Sequence, residues 1–523
     1  MLMVRVRQVK VLIEEDNLLE KISKKLRVNV SEIVNYKIVK KSIDARDKNN
    51  IYYVYEVDLE LVNQKKVKIG GDILITPKEE YNYSITGEEK LNNRIVIVGA
   101  GPAGLMCAYM LSEAGYSPLI IEQGEKVEDR IKTVEEFFST NKLNTLSNIQ
   151  FGEGGAGTFS DGKLNTLVKD KRFIGKKVFE IFVENGAPEE IMYLNKPHIG
   201  TDVLRKVIVN IRKKIISMGG EFRYNTKLTD INIDNNKINS IVVNSNEEIL
   251  CSVLVLAIGH SSRDTFKLLY DKGISMKNKN FAVGLRIIHP QDMINKNQYG
   301  DKYKLLPPAD YKLTYTSKSG RGVYSFCMCP GGYVVNASSE NNRLVVNGMS
   351  NYMRDGENAN SALVVTVSSK DFGEGVLDGV EFQRKLEEAA YSIGNGVIPI
   401  QLYGDYKENK ISTKLGSITP SVMGKYSFGN LNDIFSEDIN TSLVEGIEYF
   451  SSKIKNYNRE DAILLGVESR TSSPVIIIRD ENFISSVFGI YPCGEGAGYA
   501  GGITTASMDG IKVFESIISK YKI

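Results

Sequence analysis

Hydrophobic positions change their period several times along the chain, and each change marks an element. Val4 to Ile13 alternates as a strand, Asn17 to Leu26 repeats at helical spacing, and Val30-Ser31 turns. A second helical patch follows, before Ile38-Val39 and Ile51 to Leu61 return to strand. This predicts a small α+β unit over residues 1–88. The polar stretch Pro77 to Asn93 loses all periodicity and predicts the boundary. Arg94 to Val98 is then a short apolar strand, Leu105 to Ala114 a helix, and Leu119 to Glu122 a second strand ending on an acid. Glu221 to Thr229 and Ile238 to Val243 read as strands, and Ser252 to Gly259 is apolar on both faces, as a central parallel strand is. From Phe281 to about Val367, alternating strands with long polar turns predict an antiparallel sheet, covered by helices at Val380 to Ile393 and Asn440 to Asn456. Phe488 to Pro492 is another strand, and Ile503 to Ile518 a last helix. The predicted class is α/β. A discontinuous Rossmann-like domain occupies 93–280 and 461–523, an antiparallel-sheet domain 281–460, and the small α+β domain the N-terminus.

Composition narrows the picture. The 523 residues are enough for two or three cores, and a formal charge of +2, with bases scattered among acids, gives no reason to expect nucleic acid. Five cysteines without CxxC spacing suggest neither a disulfide framework nor a metal site, and fit a reducing cytoplasm. Met1 to Asp16 lacks an apolar signal core and the longest apolar runs are strand-sized, so neither export nor a membrane span is expected.

The chemistry concentrates where strands feed glycines into helices. Gly99-Ala100-Gly101-Pro102-Ala103-Gly104 follows the Arg94 strand, and Glu122 stands about twenty residues later at the ribose-reading position. Gly99 makes the turn, Gly101 admits a pyrophosphate, Gly104 packs helix on strand, and the helix start supplies unpaired N–H donors. Tyr491 to Ile503 repeats the arrangement, with Gly494, Glu495, Gly501, Gly502 and Ile503 as candidates for the far end of the same nucleotide. Glu495 suits ribitol hydroxyls, and the helix start suits the negative charge on a reduced flavin. Between them, Phe151 to Leu164 holds Gly154, Gly155, Ala156, Gly157 and Thr158 in a loop able to wrap backbone donors around the cofactor. No second strand-GxGxxG-helix-acid unit follows residue 130, so NAD(P)H is expected at most as a transient reductant.

These motifs, with Ile121-Glu122-Gln123-Gly124-Glu125 and Arg130, the Ala257-Ile258-Gly259 strand end, and strings such as Lys196 to Asp202, Gly320 to Gly332 and Val467 to Val475, occur in the order seen in flavoproteins of two-dinucleotide type. The chain resembles an uncharacterised bacterial family of FAD-dependent, so-called NAD(FAD)-utilising, dehydrogenases. The resemblance implies non-covalent FAD in a glutathione-reductase-like fold, with a substrate domain akin to that of aromatic hydroxylases. It also implies that Gln123, Arg130, Leu228, Ala257 and Gly259 belong to the cofactor site.

For acid or base work the histidines are His198, His260 and His289, with His198 favoured because Pro197-His198-Ile199-Gly200 is loop-like. Cys327 and Cys329 alternate on a strand that puts both sulfurs on one face. Residues i and i+2 there lie about 6.6 Å apart with parallel Cβ vectors. A disulfide needs Cβ atoms about 3.8 Å apart, so a substrate-facing thiol at Cys329 is expected instead. Arg470, with Thr471 and Ser472, is a candidate for contact with substrate or flavin. The expected function is hydride transfer through flavin N5, to or from a small-molecule substrate, with an electron-transfer partner as a further possibility. The alternatives are a FAD-dependent monooxygenase, a flavin-containing sensory or partner-binding protein, and an enzyme on RNA docked through Arg5 to Lys41.

Overall fold

Short strands flanked by glycine turns align in parallel to form the sheet that carries the first motif. In the computed structural model, which describes residues 3–63, 67–166 and 168–523, their order is Glu221–Arg223, Leu119–Ile121, Arg94–Val98, Glu247–Leu256 and Ile490–Pro492. Glu247–Leu256 serves two partners. Its apolar second half pairs in parallel, while its polar first half pairs antiparallel with Lys237–Val243, which in turn pairs with Leu228–Asp234. On one face the helices Pro102–Glu113 and Ile503–Lys520 pack together, backed by Ile174–Glu184 and Thr201–Ser217. Gly510 permits this approach, because a Cβ there would stand 2.2 Å from the Ala103 carbonyl oxygen, and Gly104 lets the first helix sit on its own turn, since a Cβ there would stand 2.0 Å from the Gly99 carbonyl oxygen. Residues 94–256 and 490–520, separated in sequence by the second domain, thus build one nucleotide-type layer.

The second domain is a seven-stranded sheet in the order Thr314–Thr316, Gly322–Cys329, Asn358–Val367, Phe281–Pro290, Ile463–Glu468, Ile398–Leu402 and Tyr426–Phe428. All neighbours are antiparallel except the last pair. Asp378–Ile393 and Glu437–Ser451 pack against it. Ile463–Glu468 was expected to fall in the C-terminal part of the nucleotide domain, from residue 461. It pairs instead with Phe281–Pro290 and Ile398–Leu402 inside this sheet. An all-buried strand looks the same in sequence whether helices cover it in a parallel or an antiparallel sheet.

At the N-terminus, Ile33–Asp44, Tyr52–Leu61, Val4–Leu12 and Ile73–Ile75 make an antiparallel sheet. Helix Leu18–Leu26 buries Ile22 and Leu26 against it. The turn expected at Val30-Ser31 is a 3-10 turn, Val30–Glu32, but the helical patch expected after it is strand, because its β-branched residues begin the twelve-residue strand Ile33–Asp44. That strand docks on the nucleotide domain through Lys41 N–H to the Tyr193 carbonyl (2.7 Å) and Asn195 N–H to the Lys41 carbonyl (2.9 Å). The aperiodic stretch 77–93 is a strap rather than a free linker. Tyr83 packs edge-on against Phe514 with centroids 5.0 Å apart, Tyr81 hydroxyl donates to Glu515 (2.9 Å), and Glu89–Lys90 pairs with Tyr521–Lys522.

Candidate active site

The first strand end is tied by a carboxylate. Glu122 is buried, its Oε2 accepting from Ala100 N–H (2.9 Å) and its Oε1 from Gly124 and Gly152 N–H (3.0 Å each). One side chain therefore joins the phosphate turn, its own strand end and the loop from Phe151. Glu122 and Gln123, together with Gly99, Gly101, Pro102, Ala103, Leu228, Ala257 and Gly259, line one end of a cavity of about 480 Å³.

Arg130 does not line that cavity. Its buried guanidinium donates to the carbonyls of Asn148 (2.8 Å), Ile149 (2.9 Å), Gly152 (3.2 Å), Glu153 (2.7 Å) and Gly155 (3.0 Å). Burial works against its charge, and the nearby Glu122 and Glu153 carboxylates favour it. Arg130 is thus the clamp of the glycine loop, which it holds across the phosphate turn: Gly154 N–H donates to the Ala100 carbonyl at 2.7 Å. Gly155, Ala156 and Gly157 reach the cavity. Gly154 and Thr158 lie behind them, and the Thr158 carbonyl accepts from Thr201 Oγ1 at 2.6 Å.

Cys493, Glu495, Gly501, Gly502 and Ile503 line the same cavity. Gly494 stands just behind it, where its N–H donates to Asp509 (2.7 Å), itself paired with Arg479 (2.7 Å). Burial pushes the Glu495 carboxyl up to about 7, against the pull of Lys279. Helices Pro102–Glu113 and Ile503–Lys520 both begin on a glycine, Gly101 and Gly502, with no side-chain cap. Their first N–H groups and positive dipole ends are left for a ligand.

The antiparallel sheet closes the other wall. Cys327 takes a left-handed φ of 42° where the strand register slips between Phe326 and Cys329. This β-bulge breaks the regular alternation expected of the two cysteines. Both are free thiols on the cavity, Cys327 open to it and Cys329 buried, and burial pushes the Cys329 thiol upward. Arg470 lines the cavity, but its donors are committed: two to Glu387 (2.9 and 2.7 Å), one each to Ser339 (2.6 Å) and Ser261 (3.1 Å). Arg263 also pairs with Glu387 (2.6 Å), and the two guanidiniums hold that carboxyl well below the usual range against its burial.

His198 stands behind the cavity wall. Its Nε2 lies 2.9 Å from the Tyr352 carbonyl and its ring stacks on Tyr352, with burial and Arg354 lowering its pKa. The histidine on the cavity is His260, pushed down to about 3 by burial, Arg470 and Arg263, and so held neutral. Lys163, Asp310, Tyr311 and the Glu468–Arg286 pair (3.1 Å) also reach this wall or back it; Lys163 and Glu468 lie in strings that mark the family resemblance or the glycine loop, and no local motif announces the others. The signal that was available is an acid, Glu468, at the end of an all-apolar strand.

A dinucleotide fits what is present. A Cβ built on Gly501, Gly502 or Gly259 would meet nothing within 4 Å, so backbone there is open to a close ligand, and two uncapped helix starts face the same space as the Glu122 anchor. Residues 97–144 match the NAD(P)-binding Rossmann-like domain, and residues 280–471 the family described as FAD-dependent protein, C-terminal domain-like. Residues 3–60 match a domain of unknown function. The class is therefore a FAD-dependent protein with a Rossmann-like nucleotide domain. An uncharacterized protein of Clostridium beijerinckii is 48% identical over 530 residues, covering 99% of both chains. The chain belongs to the same family, an uncharacterised FAD-dependent one. Among solved structures, glycine oxidase from Bacillus cereus aligns with 82% of this chain and 98% of its own, at 10% identity and a TM-score of 0.36. L-proline dehydrogenase from P. horikoshii aligns with 82% and 94%, at 13% identity and 0.35. The family assignment rests on the C. beijerinckii relative and not on these.

Proposed function

We propose that FAD lies along the cavity with its ribose at Glu122, its diphosphate over Gly99 to Gly104, and its isoalloxazine toward Glu495 and Gly501 to Ile503. The observation that carries this reading is that a carboxylate-anchored strand end and two uncapped helix starts open on one cavity. When bound, FAD supplies hydride exchange at N5. The N–H groups at the start of Ile503–Lys520 stabilise negative charge at the facing ring edge, and Glu495 accepts from the ribitol hydroxyls. Arg130, Gly154 and Thr158 act as positioning residues that keep Gly155 to Gly157 against the cofactor. Cys329 and the bulged strand Gly322–Cys329 form the substrate side, where a small molecule is held and water excluded. Arg470 positions Ser261 and Ser339 along the same wall, and His198 holds the Tyr352 turn behind it.

Gly501 and Gly502 are exposed, giving NAD(P)H or an electron-transfer partner a transient approach to the isoalloxazine end. Among the described residues no helix is long and apolar enough to cross a membrane. Five free cysteines, with Cys327 exposed, support a reducing cytoplasmic setting. The test is anaerobic: the purified holoprotein is mixed with NADH and, separately, NADPH, and flavin bleaching is followed. Bleaching by either identifies the reductant. A protein that neither carries FAD nor takes it up overturns the reading.

A further inference from the structure

The carboxylates around the cavity differ in what is left for a ligand. Glu122 accepts three backbone N–H groups, Glu387 accepts from two arginines and Ser469, and Asp161 takes Arg354 on both oxygens. Asp310 pairs with Lys196 (2.7 Å), and of the remaining two, Glu495 and Glu468, Glu468 is the one on the antiparallel sheet. It closes the strand Ile463–Glu468, is buried, and lines the cavity from the substrate-side sheet. Its Oε2 accepts a single bond from Arg286 Nε–H at 3.1 Å, and among the described residues no hydrogen-bond donor meets its other oxygen. Arg286 divides its remaining donors between Asn360 Oδ1 (2.8 Å) and the Cys327 carbonyl (3.0 Å), so it steadies the carboxyl without saturating it. Gly348 makes room for this, since a Cβ there would stand 1.9 Å from Arg286 Nη1.

The groups that face Glu468 are few. Arg286 comes from the adjacent strand and Cys327 from the bulged one, while Arg470, two residues on, is spent on Glu387. Burial pushes the Glu468 carboxyl up to about 7 and Arg286 pulls it down. It is therefore divided between acid and anion near neutral pH.

We propose that Glu468 is the proton-exchanging residue of the substrate side, acting on an alcohol or amine whose carbon gives up a hydride. This rests on the FAD reading above. In the oxidative direction the substrate O–H or N–H proton passes to the free oxygen of Glu468. The electron pair of that bond becomes the second bond of the C=O or C=N product, and the hydride leaves with the C–H pair to the bound oxidised flavin. In reverse, Glu468 returns the proton.

The test uses FAD-loaded wild type, E468Q, E468D and, as a control for the other raised carboxyl, E495Q. FAD content is measured first by absorbance. Because Glu495 is also pushed up to about 7, infrared pH-difference spectra are read without it: a protonated-carboxyl band with a midpoint near pH 7 is expected in E495Q and is expected to be lost when E468Q is combined with E495Q. With an alcohol or amine that bleaches the flavin, the rate is expected to rise with pH through the same midpoint. E468Q is expected to lose about 100-fold or more, together with that pH dependence, and E468D to restore part of both. Full FAD content with the same titrating band in the E468Q/E495Q double variant, or an unchanged rate and pH profile in E468Q, overturns the assignment of Glu468. Loss of FAD from wild type overturns the cofactor reading instead.

Discussion

Replacing Glu122 by Ala tests whether one carboxylate holds the nucleotide end together before any cofactor arrives. Three amides, at 2.9, 3.0 and 3.0 Å, end on its two oxygens. Each buried N–H left without an acceptor costs roughly 1–3 kcal/mol. Relaxation and water reduce the sum to roughly 3–6 kcal/mol for the three. Locally, 1–3 kcal/mol corresponds to about 5- to 150-fold faster amide exchange. Hydrogen exchange read by mass spectrometry on the apoprotein, over peptides containing Ala100, Gly124 and Gly152, measures each strand of the tie separately. All three are expected to speed up in E122A. In E122Q, one face of the side chain presents an amide NH₂ to a donor, so part of the set is lost and the rest kept. FAD affinity falls in both. If affinity fell while exchange at all three sites stayed at the wild-type rate, Glu122 would be a ribose contact alone and the tie would be refuted.

Other outcomes follow from single contacts. Gly104→Ala drives a methyl to 2.0 Å from the Gly99 carbonyl, and is expected to cost about 3 kcal/mol of stability and to abolish FAD retention, read by denaturant unfolding and flavin absorbance. His198→Ala removes a ring stack and one hydrogen bond to Tyr352, and is expected to cost about 1–3 kcal/mol while leaving FAD content at the wild-type level. Glu495 has a folded-state pKa of about 7, above its usual 4.5, so the folded apoprotein binds the extra proton. Its contribution to stability is favourable at low pH and is lost as pH rises through that window. Urea midpoints of wild type relative to E495Q are expected to fall from about pH 5 to about pH 7 and to level off above.

The strand, glycine turn and helix of residues 94–113 were legible in sequence because their physics is local: a buried strand, a glycine turn and a helix start lie within a dozen residues. The C-terminal glycine run was legible for the same reason. Arg130 could be read as part of the site, but not as a clamp on five carbonyls, since that depends on a loop folding back around it. The residues 33–44 mix polar and apolar positions without a clean period, and pairing with Tyr52–Leu61 decides them as strand. The substrate wall was the least legible part. Arg286, Cys327, Asn360 and Glu468 sit on four strands spread over more than a third of the chain, and only the sheet brings them together. His198 drew attention because histidine titrates near neutrality, yet the stack on Tyr352 gives it a packing role that spacing does not reveal.

The most direct measurement is a titration of the apoprotein with FAD and with FMN, followed by quenching of flavin fluorescence, with ADP as competitor. A cavity anchored at both ends is expected to take one FAD per chain, to bind FMN about 100-fold or more weakly, equivalent to roughly 2.7 kcal/mol, and to yield FAD to excess ADP. FMN binding as tightly as FAD, or no uptake of either flavin, would contradict the account.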